Sequence, residues 1–105
     1  MQFFSAPPEG KQRAALLVCL EHPLSRGTVH ITSSDPTAAP RIDTGYFRHP
    51  VDAKIMAEGI KWMDKVASRP VLKKSLGERI QPPQDASIET EEERIEFVKS
   101  HISTQ

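Results

Sequence analysis

Nine prolines in 105 residues constrain the fold of this chain more than any other feature of its sequence. Most of them cluster at positions 7–8, 36–40 and 82–83. Such clusters mark loops, because proline fixes φ and has no backbone N–H to donate. The regular elements must therefore lie between these loops, in a chain long enough for one domain with a modest core.

The first predicted strand is the apolar run 14–20, which is apolar on both alternations, as in a strand covered on both faces. Pro23 and Gly27 bracket the turn that follows, and Gly27 is expected to supply a positive φ there. Residues 14–33 are thus predicted to form an antiparallel pair of strands.

The second predicted strand alternates polar and β-branched apolar residues over 28–32. This alternation predicts that Val29 and Ile31 face the core. Turn-forming residues fill positions 33–36, and Pro40 ends the loop before a third strand. The predicted strands span about residues 14–21, 28–33 and 41–45.

The best helix in the sequence covers residues 50–68. Pro50 suits its first turn, and Asp52 places a carboxylate at the positive end of the helix dipole. Glycine destabilises a helix interior relative to alanine, so we expect Gly59 to be present because a strand approaches the helix closely there. The predicted apolar stripe consists of Ile55, Met56, Gly59, Ile60, Met63, Val66 and Ala67.

Two further helices are predicted, at about 71–76 and 90–102. The second begins with a capping box, in which Thr90 is the N-cap and Glu93 lies three residues on. The pattern as a whole indicates the α+β class, with an antiparallel sheet covered by helices.

The charge balance excludes some partners. Lysine and arginine total 14, as do aspartate and glutamate, so no net charge favours nucleic acid or an anionic membrane. The run 14–20 is far shorter than the roughly 20 residues that span a bilayer. Residues 1–4 lack the basic start of a signal peptide, and the sequence indicates no compartment.

The residue types that carry chemistry form no recognised catalytic or metal-binding pattern. Cys19 and His22 form a C-x-x-H without a second pair, and Cys19 is predicted to be a buried, inert thiol. Ser25 lacks a G-x-S-x-G context, so we expect Ser25 and Arg26 to fix their loop by hydrogen bonds. No G-x-G-x-x-G is present. We therefore assign no catalytic, cofactor-binding or metal residue, including the four histidines, His22, His30, His49 and His101.

The segment from His22 to Asp43 resembles the opening of the C-terminal, substrate-binding domain of the glucose-methanol-choline (GMC) oxidoreductases, with its pattern P-x-S-R-G-x-V-x-L-x-S-x-D-P…P-x-I. The resemblance extends over about 14–105, a partial domain preceded by an irregular lead-in at 1–13. The matching residues are Pro23, Ser25, Arg26, Gly27, Val29, Asp35, Pro36, Pro40 and Ile42, followed by Asp52 in the helix.

The resemblance implies a role beside a flavin. In this family the domain is an antiparallel sheet backed by helices, and it forms one wall of the substrate cavity over the FAD ring. The family oxidises alcohols by hydride transfer to FAD, which a separate domain mainly holds. Its catalytic histidine lies in an H-P-x-G-T segment that this chain lacks, and His101 is no substitute because no proline and glycine follow it. The matching residues are thus interpreted as scaffold.

Two hypotheses of different class follow. The chain is either a truncated piece of an FAD-dependent alcohol oxidoreductase, inactive alone and binding no FAD, or a free-standing, non-catalytic binding module. The first implies two partners, the FAD-binding domain of the parent enzyme and a small alcohol. Because its sheet would lack neighbouring strands, we also expect the isolated chain to self-associate.

Overall fold

The computed structural model describes residues 10, 12–80, 82–83 and 86–102. It confirms the α+β class, with a two-stranded antiparallel sheet and three helices in the described part of the chain. In chain order the elements are β1 (Thr28–His30), β2 (Arg41–Asp43), α1 (Pro50–Ala67), α2 (Pro70–Lys73) and α3 (Glu91–His101).

The two strands form a hairpin, in which Val29 lies opposite Ile42 and Thr28 opposite Asp43. Both are shorter than the predicted spans, 28–33 and 41–45. The predicted inward direction of Val29 and Ile31 is wrong, since these side chains are 66% and 89% exposed. No element of the described chain covers this side of the hairpin.

The predicted strand at 14–21 is not formed, and β1 pairs with β2 and not with this segment. The segment instead passes α1, where Val18 lies against Gly59. A close approach explains Gly59, as predicted, but it is made by the Val18 side chain and not by a strand. The prediction of a buried Cys19 is also wrong, because its thiol is exposed.

Capping residues and prolines set both ends of helix α1. His49 is its N-cap and Pro50 occupies the first turn, while Ser68 caps the C-terminus just before the proline that starts α2. Helix α2 is shorter than the predicted 71–76, because residues 74–75 form a turn.

The core lies between α1 and α3. Its fully buried apolar side chains are Ala53, Ala57 and Val98, and the two alanines let the helices approach closely. The predicted stripe is largely confirmed, since six of its seven residues are half-buried and Ile55 alone is exposed, at 48%. The most buried positions, Ala53 and Ala57, lie beside the stripe and were not predicted.

The capping box of α3 is confirmed. The Thr90 Oγ1 accepts from the Glu93 amide at 3.2 Å, and a Glu93 carboxylate oxygen accepts from the Thr90 amide at 3.0 Å. Arg94, 6% exposed, donates to the carbonyls of Ile88 and Glu89, at 2.9 and 2.6 Å. These bonds hold the loop before α3 against the helix.

Candidate functional site

The family-like motif converges where the base of the hairpin meets the start of α1. We call this region the hairpin junction and define it as residues 23–27, 43–45, His49 and Asp52. Asp52 is 2% exposed. Its two carboxylate oxygens accept from the backbone amides of Leu24, at 2.9 Å, and Ser25, at 2.8 Å. One side chain in the first turn of α1 therefore holds the loop that leads into β1.

Ser25 links the same loop to the helix from the other direction. Its Oγ accepts from the His49 amide at 2.9 Å. The Ser25 hydroxyl also makes the largest contribution to lowering the pKa of Asp52; the Leu24 and Ser25 amides and His49 act in the same direction, whereas burial opposes them. Asp52 is thus a charged acceptor at neutral pH and not a general acid.

Arg26 fixes the turn itself. Its guanidinium Nη1 donates to the carbonyls of Pro23 and Ser25, the second at 2.9 Å. Arg26 thus fixes its loop through backbone carbonyls, as expected, whereas Ser25 does so by accepting from a backbone amide.

Two glycines let the two ends of the hairpin come into backbone contact. Gly27 does not adopt the left-handed conformation that the sequence predicts. A Cβ there would lie 2.4 Å from the Asp43 carbonyl oxygen, so the close approach of the chain explains this glycine. Gly45 does have a positive φ, of 62°, and a Cβ on it would lie 2.4 Å from the Arg26 carbonyl oxygen.

The remaining motif residues lie away from the junction. Asp35 organises the loop at the far end of the hairpin, where its Oδ1 accepts from the Thr37 amide at 2.9 Å and the Thr37 hydroxyl at 2.8 Å. These bonds lower the pKa of Asp35, the amide bond most. Pro36 and Pro40 lie in the same exposed loop. The motif residues therefore stabilise the base of the hairpin and the loop at its far end, and they do not form a cluster of reactive groups.

Sequence reasoning missed the role of His49. Its Nδ1 accepts from the Val51 amide at 3.3 Å, and its own amide donates to Ser25. The proline immediately after His49 was the available signal, since proline favours the first helical position and so places the N-cap before it. His101 has a structural environment as well, stacked on Phe97 with 4.1 Å between the ring centroids.

Two open surface cavities lie among the described residues. One open surface cavity, of about 580 Å³, borders β2, and another, of about 590 Å³, lies between α1, the loop before α3, and Arg94. Polar and charged side chains dominate both, without an enclosed apolar slot for a flavin ring. No three metal-ligating side chains meet within the described ranges.

None of the helices in the described part of the chain is both long and apolar enough to cross a membrane. No solved structure matches the chain.

Known proteins match both the motif and the residues after it. The family model described as GMC oxidoreductase matches residues 23–105. The chain is 36% identical over 102 residues to the dehydrogenase mpl7 of Monascus purpureus and equally to the dehydrogenase citC of Monascus ruber. Each match covers 96% of this chain and 16% of the relative.

A bacterial relative extends the comparison. The oxygen-dependent choline dehydrogenase 1 of Chromohalobacter salexigens is 31% identical over 81 residues, covering 77% of this chain and 14% of the relative. The chain therefore spans about one sixth of the length of the curated relatives it matches. Because the family model matches residues 23–105, this chain belongs to the GMC oxidoreductase family.

Proposed function

We propose that this chain is a part of an FAD-dependent oxidoreductase that acts on the CH–OH group of alcohols. In this proposal it supplies part of the wall of the substrate cavity and has no activity alone. The observation that carries the proposal is the family match over residues 23–105, beginning at the hairpin junction. The names of the relatives, dehydrogenases of Monascus and a choline dehydrogenase, support the oxidoreductase class.

The geometry supports a scaffold role. Alcohol oxidation by hydride transfer needs a general base beside the alcohol, with the flavin supplying the redox chemistry when it is bound. In this chain Asp52 is committed to two backbone amides, and His49 caps a helix. The proposed role of these residues is to hold the hairpin at a fixed position on α1. The FAD-binding domain and a small alcohol are then partners of the parent enzyme.

The isolated chain tests the proposed lack of activity. Purified chain is mixed with excess FAD, passed through gel filtration and examined for flavin absorbance. We expect no stoichiometric flavin in the protein peak and no dye-coupled oxidation of choline or simple primary alcohols. A co-eluting flavin band would overturn the proposal that FAD needs the rest of the parent enzyme.

A chimaera tests membership in the catalytic assembly. In the Monascus purpureus dehydrogenase, this chain replaces the matching 102 residues. We expect the chimaera to purify with bound flavin, because the two segments share 36% of their residues. A control chimaera carries Gly27→Val and Gly45→Val, which place side chains against backbone carbonyls at the hairpin junction. Equal flavin content in both, or none in the first, would contradict the proposal.

The alternative, a free-standing binding module, is favoured by one observation. Large apolar side chains such as Trp62, 66% exposed, and Val71, 82% exposed, are available for contact with another molecule. This alternative predicts a monomer with a cooperative thermal transition.

A further inference from the structure

One side of the hairpin is an exposed apolar face. Val29 and Ile42 lie directly opposite each other, so their side chains share one side of the ribbon. Ile31 directly follows β1, two residues beyond Val29, and adds a third exposed apolar side chain at this end of the strand. Their exposed fractions are 66%, 64% and 89%. We call these three residues the hairpin face.

The other side of the ribbon is polar. Thr28 is paired with Asp43 and His30 with Arg41, which gives this side a hydroxyl, an imidazole and two charges. The ribbon is therefore amphipathic, with one side suited to water and the hairpin face suited to an apolar partner.

The helices of this chain are engaged elsewhere. Helix α1 buries Ala53 and Ala57 against α3, and its Gly59 meets Val18. Two strands of three residues have too little surface to be stable alone, and a third element on the apolar side is what such a ribbon needs. That element is absent from the described part of the chain.

We infer that the hairpin face docks onto the remainder of a GMC oxidoreductase chain, outside the segment that this chain matches. The remainder of that chain is long enough to cover the hairpin face, because the matching segment is 16% of the Monascus relatives and leaves about five sixths of them. The apolar chemistry of the three side chains fits the packed interior of such a domain better than a charged surface. The inference rests on the proposed function and adds to it the surface by which the chain joins the parent enzyme.

The same chimaera tests the inference. Ile42→Lys puts a charge on the hairpin face, whereas Val71→Lys puts one on α2, where the side chain is 82% exposed. We expect Ile42→Lys to lower the flavin bound per protein by about fivefold or more, since a buried unpaired ammonium is costly, and Val71→Lys to change it by less than about twofold. The helix content of the isolated chain is measured for both variants by circular dichroism, and neither should lower it.

The outcomes separate the inference from the proposed function. An unsubstituted chimaera without flavin would overturn both. If that chimaera binds flavin but Ile42→Lys and Val71→Lys behave alike, the inference alone fails. Loss of helix in isolated Ile42→Lys would assign the hairpin face to the chain's own core and also overturn it. Ile42→Lys could instead abolish self-association of the isolated chain while the chimaera with the same substitution keeps its flavin. The hairpin face would then bind a second copy of this chain, and the inference would be wrong.

Discussion

At the scale of single residues, Asp52 has the largest expected effect on stability. In Asp52→Asn, one of the two oxygens that accept from Leu24 and Ser25 becomes an amide nitrogen and faces a backbone N–H. Because a buried donor without an acceptor is costly, we expect the thermal midpoint to fall by about 5–10 °C. Circular dichroism at 222 nm measures the transition.

A matched control lies in the same helix. Asp64 is 57% exposed, and its side chain forms a long ion pair with Arg79, 3.8 Å between Oδ1 and Nη1. Asp64→Asn should therefore shift the midpoint by less than about 2 °C. Equal shifts in the two variants would show that the junction bonds of Asp52 do not stabilise the fold.

The same carboxylate predicts an acid transition. Hydrogen bonds lower the pKa of Asp52, led by that of Ser25, and the pKa of Glu93, led by that of the Thr90 backbone. A lowered folded-state pKa stabilises the protein above the unfolded pKa of about 4 and loses that contribution as pH falls through the folded value. The thermal midpoint should thus be flat above about pH 5 and fall below about pH 4, less steeply in Asp52→Asn. A midpoint that rises on acidification would contradict this assignment.

Sequence alone could identify Ser25, Arg26 and Asp52 as motif residues but not their contacts. Asp52 lies in the first turn of α1, as predicted from the preference of carboxylates for the positive end of a helix dipole. This preference cannot show that the side chain accepts from amides 27 and 28 residues earlier, since that depends on where the loop lies in the fold. Gly27 illustrates the same limit, because a turn glycine and a close-approach glycine look identical in sequence.

At the scale of elements, the contact between α1 and the segment before the hairpin is open to test. A Cβ at Gly59 would lie 2.7 and 2.9 Å from the two methyl carbons of Val18. Valine is stiff at χ1, so we expect this overpacking, about 1–3 kcal/mol, to outweigh the helix propensity of about 1 kcal/mol that alanine adds. Gly59→Ala should therefore lower the unfolding midpoint in urea.

The double variant Val18→Ala/Gly59→Ala is the decisive comparison. Because Val18→Ala removes both methyl groups, the double variant should be more stable than the sum of the two single effects predicts. Gly77→Ala serves as a control, since a Cβ there meets no heavy atom within 4 Å. Additive effects of the two substitutions would place Val18 away from α1.

The elements differ in how far their sequences predict them. Local signals determine α1 and α3, which begin at a histidine–proline pair and a capping box, and both helices match the prediction to within two residues. The apolar run at 14–20 has no such signal. A strand forms only where a neighbouring backbone offers hydrogen bonds, and the run 14–20 lies against α1 through Val18 and not along the free edge of β1. Periodicity does not report this competition.

At the scale of the whole molecule, the α+β class follows from element order, but the size of the core does not. In the described part of the chain, only Ala53, Ala57 and Val98 are buried apolar residues. A core of three small side chains contributes little hydrophobic stabilisation. The apolar residues that the sequence assigns to a core are instead largely exposed, as Ile31 and Ile42 show. In the proposed function, the other residues of the parent enzyme would complete this core.

This imbalance predicts the behaviour of the isolated chain. We expect it to self-associate at concentrations of about 10–100 µM, because apolar patches of this kind and unpaired strand edges promote association. Multi-angle light scattering measures the mass, and an apolar fluorescent dye reports exposed apolar surface. Association driven by apolar contact should persist when about 0.5 M sodium chloride is added, whereas association by ion pairs should weaken.

The variant Ile31→Lys/Ile42→Lys should bind less dye and associate less, while Val71→Lys is the control. A sharp 11.7 kDa monomer that melts cooperatively would contradict the expectation and favour the free-standing module.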